Sequence, residues 1–160
     1  MSRKNIEDFY YDTAEAMCLL YAMFPLRSIL LVEDIRGPIK WDLTGLPDRR
    51  SQSCFESLLW LAEEGLLSFR SLEDRIVGIE GAVLTQKGFV LMNSPVTWEG
   101  EDPVSRVDAL NEARRSLAYA NIDTLVRDLL DANCHWTAPL KRDALPKHGT
   151  IELGDSDDEI

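Results

Sequence analysis

The sequence predicts a mainly helical α+β fold with one small β-hairpin, followed by a long C-terminal helix. Helical apolar periodicity with recognisable ends occurs over residues 12–24 and again over 53–64. Directly after the second helix, residues 67–84 contain two short apolar segments separated by polar residues, which is the pattern of a hairpin. A third helical pattern runs from residue 104 to about residue 130. This order of elements favours a module that presents a surface, rather than one that encloses a catalytic cavity.

The composition allows a compact core and restricts the choice of partners. The chain has 160 residues, of which 45% are hydrophobic, and its formal net charge is −11 at pH 7. A field of this sign repels phosphate backbones and anionic membranes. Residues 1–95 carry ten Lys/Arg and fourteen Asp/Glu (net −4), whereas residues 96–160 carry seven and fourteen (net −7). The acid is therefore concentrated toward the C-terminal end.

Export and membrane signals are not apparent. The N-terminal residues lack the apolar run of a signal peptide, and the longest apolar stretch, "AMCLLYAMFPL", is shorter than the roughly 20 residues that span a bilayer. The three cysteines, Cys18, Cys54 and Cys134, are an odd number without CxxC spacing, which indicates reduced thiols. We therefore expect a cytoplasmic protein that does not associate with membranes.

The first helix is predicted from a capping box and an apolar run. Asp12 and Glu15 have the spacing of a capping box, and the helix is expected to run to Phe24 and to stop at Pro25. It is apolar on nearly all sides, so we expect it in the middle of the core. The next segment, "RSILLVEDI", fits a strand, a helix or a strand that continues into a helix. The glycines and prolines of residues 37–50 predict a loop.

The second helix and the hairpin follow this loop. Ser53 and Glu56 form another capping box, and Gly65 is expected to end the helix. Its buried stripe is predicted to comprise Phe55, Leu58, Leu59, Ala62 and Leu66. The segments "LLSF" and "RIVGI" are the predicted strands. Thr85 then caps a short helix that ends before Pro95.

The C-terminal part is divided into a linker, a helix and a tail. Residues 96–103 are the predicted linker between a first module, 1–95, and a C-terminal helical element, 104–135. The apolar stripe of this element shifts near residues 118–121, so either the helix kinks there or its two halves pack on different partners. The leucines proposed for a dimer interface or for docking a protein are Leu110, Leu117, Leu125 and Leu129. Residues 136–160 are predicted to be an irregular, acidic and disordered tail.

The order of helix, strand, helix and hairpin resembles a winged-helix domain, a helix-turn-helix that carries a β-hairpin wing. The most specific part is "GLLSF…GIEGAVLTQKGFVLM", in which a Gly-Leu leaves the helix and a Leu-Thr-x-x-Gly turn follows the wing. Leu84, Thr85, Lys87 and Gly88 match that turn. The resemblance covers roughly residues 12–94. It departs from the family pattern in the loop before the second helix, which is long for a simple turn.

The resemblance implies that the helix before the wing enters the DNA major groove and that the wing touches the backbone. The DNA-facing residues that it implies are Arg49, Arg50, Gln52, Ser53 and Ser57 on the helix, and Arg70 and Arg75 beside the wing. Arg and Gln suit this role because they hydrogen-bond to the edges of guanine and adenine. The implied partner is double-stranded DNA, bound by a homodimer.

The residues themselves also support a different partner. The 53–64 segment contains glutamates but no Lys or Arg, and acidic Glu73 and Asp74 lie at the wing tip beside the two wing arginines. Arg49 and Arg50 could be solvated loop residues, and the wing arginines could form salt bridges with these carboxylates. Trp60 on the exposed side of the helix is the kind of anchor that protein interfaces favour. The alternative is that the loop containing Trp41, or the C-terminal helix, covers it.

Nothing in the sequence indicates catalysis, a metal or a cofactor. Cys134 and His135 are adjacent, but no second Cys/His pair completes a set of four metal ligands, and no glycine-rich phosphate loop or HExxH motif occurs. The other histidine, His148, lies in the irregular C-terminal stretch. We therefore expect a non-enzymatic protein. Two functions stay open, a DNA-binding regulator and an acidic adaptor that uses the same fold to bind a protein, with a hydrolase subunit as a third alternative.

Overall fold

The computed structural model describes residues 4–75 and 77–136, without the side chains of residues 135 and 136. This part of the chain is mixed α+β, with helices packed around a small antiparallel sheet. The helices are α1 (Lys4–Met23), α2 (Val32–Arg36), α3 (Arg49–Glu63), α4 (Gln86–Asn93), α5 (Arg106–Arg115) and α6 (Tyr119–Trp136). The strands are β1 (Ser28–Leu31), β2 (Leu67–Ser68), β3 (Ser71–Leu72), β4 (Gly78–Leu84), β5 (Pro95–Val96) and β6 (Val104–Ser105). The predicted acidic tail after residue 136 lies outside the described residues.

Helix α1 begins at Lys4, eight residues before the predicted start. The capping-box prediction at Asp12 and Glu15 is therefore wrong, since both residues lie inside the helix. Asp12 is fully buried, and its carboxylate is held by a cation from another helix, so it does not cap a free helix end. The predicted end is confirmed, because α1 stops at Met23, just before Pro25. Its central position is also confirmed, because Met17 and Leu20 are fully buried.

The segment after α1 is a strand that continues directly into a helix. Strand β1 runs into α2 without a loop, and the backbone N–H of Leu31 donates to the Asp34 carboxylate at 3.0 Å. The long loop that follows is organised by Asp42, whose Oδ1 accepts from the N–H groups of Thr44 (2.8 Å) and Leu46 (2.9 Å). The loop is thus a fixed turn with its own hydrogen bonds.

Helix α3 begins at Arg49, so the predicted start at Ser53 is wrong by one turn. The N-cap is Asp48, whose side chain accepts from the backbone N–H of Ser51, and this uses one of the unpaired donors at the helix start. The predicted end is confirmed. The chain leaves the helix through Gly65 with φ of 78°, a conformation that glycine adopts without strain.

A hairpin within residues 67–84 is confirmed, but its return strand β4 starts at Gly78 and not at residue 75, and β3 lies in the predicted connection. Strand β1 completes a four-stranded sheet. Strand β4 is central and pairs antiparallel with β1, β2 and β3. Thr85 then caps α4 as predicted, accepting from the N–H of Gly88 at 3.0 Å and donating to the Gly65 carbonyl at 2.6 Å. Gly88 lies so close to the Leu66 carbonyl that a Cβ would be 2.1 Å from that oxygen. The turn between β4 and α4 therefore holds the end of α3 in place.

The predicted C-terminal helical element is divided into two helices, α5 and α6, close to residues 118–121, where a kink was one of the two alternatives. The break lies between Arg115 and Tyr119, where Leu117 has a positive φ of 54°. The ends of the predicted linker are paired as β5 and β6. Buried Arg106 ties α5 to its neighbours by donating to the Leu91 carbonyl (3.0 Å) and to Asp128 of α6 (2.6 Å). These helices share one hydrophobic core with α1 and the sheet.

Candidate interaction surface

The outward face of α3 is a single stripe of side chains. At about 100° per residue, exposed positions three or four apart align along the helix. The stripe consists of Arg49, Gln52, Glu56, Trp60 and Glu63. It carries one cation and two carboxylates, so it is acidic along most of its length. The side chain of Arg49 makes no hydrogen bond or ion pair with the residues that the structure describes.

Arg50 does not belong to this face. Its Nη1 and Nη2 atoms donate to the two carboxylate oxygens of Asp12, each at 2.6 Å, and its Nε lies 3.4 Å from Asp8. The hydrogen bonds from Arg50 to Asp12 raise the pKa of the guanidinium above its ordinary value. The predicted role in reading DNA bases is therefore corrected, because its donors are used inside the chain to join α3 to α1.

Two other residues implied by the resemblance are also engaged internally. Ser57 is buried, and its hydroxyl donates to the Ser53 carbonyl at 2.9 Å. A side chain in this position cannot reach a DNA base, which corrects the prediction for Ser57. Ser53 is half-buried beside it. Gln52 is exposed, but its Nε2 donates to the Pro47 carbonyl at 2.7 Å.

The charges at the start of α3 nearly cancel. Asp48 accepts hydrogen bonds from the Ser51 hydroxyl (2.7 Å) and the Lys40 N–H (3.0 Å), and lies 3.6 Å from Arg36. Burial acts to raise the pKa of Asp48, but these bonds outweigh it and hold the pKa at about 2. Asp48 is thus ionised beside Arg49. The carboxylate of Asp48 therefore offsets part of the positive charge that Arg36 and Arg49 bring to this end of the helix.

The wing arginines differ from each other. Arg75 is paired with Glu73, whose Oε1 lies 3.3 Å from its Nε, so the salt-bridge alternative describes it. Arg70 is exposed, and its aliphatic carbons lie over Gly81, where a Cβ would come within 3.0 Å of them. The hairpin tip therefore contributes little net positive charge.

A groove lies between the start of α1 and the outward face of α3. Its apolar wall is formed by Ile6, Phe9 and Trp60, and Glu56 and Glu63 line it with their carboxylates. Trp60 is 38% exposed and Ile6 is 43% exposed. The Phe9 and Trp60 rings meet edge to face, with centroids 5.3 Å apart and an interplanar angle of 86°. We call this the α1–α3 groove; its volume is about 470 Å³.

The position of Trp60 differs from both alternatives considered for its burial. Its ring packs on Phe9 of α1, whereas Trp41 belongs to a separate loop that is itself exposed. Trp60 is partly covered, and the uncovered part faces the groove. An aromatic side chain held in this way offers a rigid apolar contact at low entropic cost.

The leucines proposed for an interface lie mostly in the core. Leu110, Leu125 and Leu129 are buried, with Leu129 only 1% exposed. These side chains stabilise the chain itself, so the prediction that they contact a partner is corrected. Only Leu117, at 64% exposure, is available.

Sequence reasoning missed the N-terminal half of the groove. Ile6 and Phe9 precede the predicted helix start and were not included in any element. Their spacing of three residues, continued by Thr13 and Met17, places them on one helical face. The same periodicity puts Asp12 in an apolar run, where a buried carboxylate requires a cationic partner.

Other kinds of site find no support in the described part of the chain. No group of three His, Cys, Asp or Glu residues there is placed to hold a metal ion. None of its helices combines the length and hydrophobicity needed to span a bilayer. Burial raises the pKa of the Cys18 thiol to about 11, which keeps it protonated and unreactive.

No family model matches the chain, and neither curated proteins nor solved structures give a significant match.

Proposed function

We propose that the protein is a non-enzymatic winged-helix module that binds another protein through the α1–α3 groove and the outward face of α3. The order α1, β1, α2, α3 and the β2–β4 hairpin supports the winged-helix assignment. In that family the exposed side of the helix before the wing is the contact surface. Here that surface is acidic and carries a half-exposed tryptophan, which suits a protein partner.

One observation favours this function over DNA binding. Arg50, one of the two cations that the resemblance assigns to DNA on this helix, is paired with Asp12 and Asp8, whereas the carboxylates of Glu56 and Glu63 face outward. Each carboxylate facing a phosphate is repelled, and each missing cation removes a counterion-release contribution to affinity.

DNA binding stays as the second candidate, because Arg49 and Arg70 are exposed on the faces that the resemblance assigns to DNA. A DNA-binding regulator would act as a dimer. With three of the four proposed leucines buried, that dimer would have to form around Leu117 or other exposed residues. A cytoplasmic location belongs to both proposals.

A DNA titration separates the two candidates. Labelled random-sequence duplex is titrated with the full chain at roughly 50 and 200 mM salt, over which a protein with several phosphate contacts loses orders of magnitude in affinity. We expect no salt-sensitive binding from the wild type and no change in Arg49→Glu. Tight binding at low salt that Arg49→Glu abolishes would instead establish DNA as the ligand.

Affinity capture tests the adaptor function directly. The immobilised full chain is compared with Trp60→Ala and with Trp41→Ala, which removes an exposed tryptophan from a different surface. We expect partners that Trp41→Ala retains and Trp60→Ala loses. Capture profiles that are the same for both variants would place the interaction elsewhere on the protein.

A further inference from the structure

The α1–α3 groove carries information about the chemistry of its partner. We propose that it binds a short basic, amphipathic segment of another protein, with an apolar side chain on Phe9 and Trp60 and with Lys or Arg side chains against Glu56 and Glu63. This inference rests on the proposed function, since it assumes that the groove is the binding site.

The apolar contact surface of the groove is held in place by packing between helices. Phe9 packs against Trp60 edge to face, and Ile6 extends the apolar wall toward the start of α1. The two exposed apolar side chains, Ile6 and Trp60, lie on helices, so no loop of this protein has to become ordered when a partner binds. The groove volume of about 470 Å³ lies within the roughly 300–1,000 Å³ of sites that hold one small ligand, so it takes one or two large side chains and not a whole helix.

The charge comes from two carboxylates on the same stripe. Glu56 and Glu63 are both exposed and lie seven residues apart, with Trp60 between them. At about 1.5 Å per residue this separation is about 10 Å along α3. Neither carboxylate forms an ion pair with a residue of the described chain, and the nearby Arg50 is already occupied by Asp12. A partner that supplies cations with this spacing would therefore meet unneutralised charge.

This spacing constrains the sequence of the partner. On a helix, cations seven positions apart are about 10 Å apart, and an apolar residue at the third or fourth position between them lies on the same face. Exposed ion pairs add little affinity each, so the carboxylates chiefly steer the partner and select its sign, while the apolar anchor sets the strength.

The net charge argues against other occupants. A chain of net charge −11 repels phosphates, acidic peptides and a second copy of itself. One competitor remains within the sequence, because residues 137–148 include Lys141, Arg142 and Lys147 with a single acid. Asn133, near the end of α6, donates to the Glu64 carbonyl at 3.3 Å, so this part of α6 lies beside the C-terminal end of α3.

A random 16-residue peptide display library, selected on the full-length protein, tests the inference. Peptides that also bind the Trp60→Ala variant are discarded. We expect the remaining peptides to be enriched in Lys and Arg around a Leu or aromatic residue. Synthetic copies measured by titration calorimetry should weaken at least tenfold with Trp60→Ala and several-fold with Glu56→Gln/Glu63→Gln, and should be unchanged with Trp41→Ala. Selected peptides without a basic bias would overturn the proposal.

A charge swap removes any dependence on the stability of the tryptophan variant. Glu56→Lys/Glu63→Lys should lose the basic peptides and gain their Glu-for-Lys counterparts, whereas Glu73→Lys on the wing should change neither. Equal binding of basic peptides to wild type and charge-swapped protein would overturn the proposal. So would a clear affinity gain from Lys141→Glu/Arg142→Glu/Lys147→Glu, because it would identify the chain's own segment as the occupant. If capture depends on Trp60 but the peptides are not basic, only this inference fails.

Discussion

The guanidinium of Arg50 in α3 donates two hydrogen bonds of 2.6 Å to the carboxylate of Asp12 in α1. Asp12 is fully buried, whereas the Arg50 side chain is 23% exposed, so the pair reaches from the core toward the protein surface. It joins α1 and α3, the two helices that form the groove, and the contact between Phe9 and Trp60 joins the same two helices. The groove thus depends on an internal ion pair that would otherwise be taken for a ligand contact.

Arg50→Ala is expected to destabilise the fold by about 3 kcal/mol, because it leaves the Asp12 carboxylate buried without its cation. Arg49→Ala is the matched control, since its neighbouring side chain is exposed and unpaired, and a change within about 0.5 kcal/mol is expected there. Urea unfolding at pH 7 measures both. Equal stabilities of the two variants would show that the ion pair does not hold the helices together.

Leu129→Ala is expected to cost about 3 kcal/mol, because the side chain is buried in the core and its removal leaves a cavity. The loss should not depend on protein concentration, since the contacts are made within one chain. Unfolding measured over a hundredfold range of concentration checks this. If the unfolding midpoint rises with protein concentration in the wild type but not in Leu129→Ala, Leu129 contributes to a dimer interface.

Leu117→Gly is expected to raise the stability by about 0.5–1 kcal/mol, because a non-glycine residue at φ of 54° is strained. Leu117→Ala keeps the backbone strain while it removes the exposed side chain, and it should leave the stability nearly unchanged. Thermal unfolding followed by circular dichroism compares the two. A loss of stability in both variants would mean that the exposed side chain has a stabilising contact.

Gly88→Ala is expected to destabilise the fold by about 3 kcal/mol, because the new methyl group would collide with the backbone carbonyl of Leu66 and push α4 away from the end of α3. The control is Gln86→Ala at an exposed position in the same helix, with an expected effect below about 0.5 kcal/mol. Chemical denaturation measures both variants. A mild effect of Gly88→Ala would show that this turn can shift without loss.

Acid is expected to destabilise the start of α3 through Asp48. Its ordinary pKa of 3.8 falls to about 2 in the fold, so the carboxylate stabilises the folded state above pH 4 and loses that contribution as the pH falls toward 2. Asp48→Asn keeps the cap but not the charge, and should cost up to about 2 kcal/mol at pH 5. The difference between wild type and Asp48→Asn should shrink to near zero at pH 2. A constant difference across this range would refute the role of the charge.

Local signals predicted much of the α+β architecture. The end of α3 at Gly65, the cap at Thr85 and the strand pairing within 67–84 each depend on a few neighbouring residues, and all three are confirmed. The predicted helix starts were wrong where a capping-box pattern lies inside a helix and not at its N-terminus. Asp12 and Ser53 both have the right residue type, but one is buried against another helix and the other follows the true cap at Asp48.

The order of the elements and the composition of α3 were determined by the sequence alone, because helix periodicity, turn residues and charge are properties of consecutive residues. Only the tertiary structure decided which charges face outward. Arg50 and Asp12 are 38 positions apart, and no local pattern pairs them. From the sequence alone the guanidinium is therefore interpreted as a free cation, and only the packing of α1 beside α3 shows its partner. The same packing brought Phe9 to Trp60 and turned an exposed helix face into one wall of a groove.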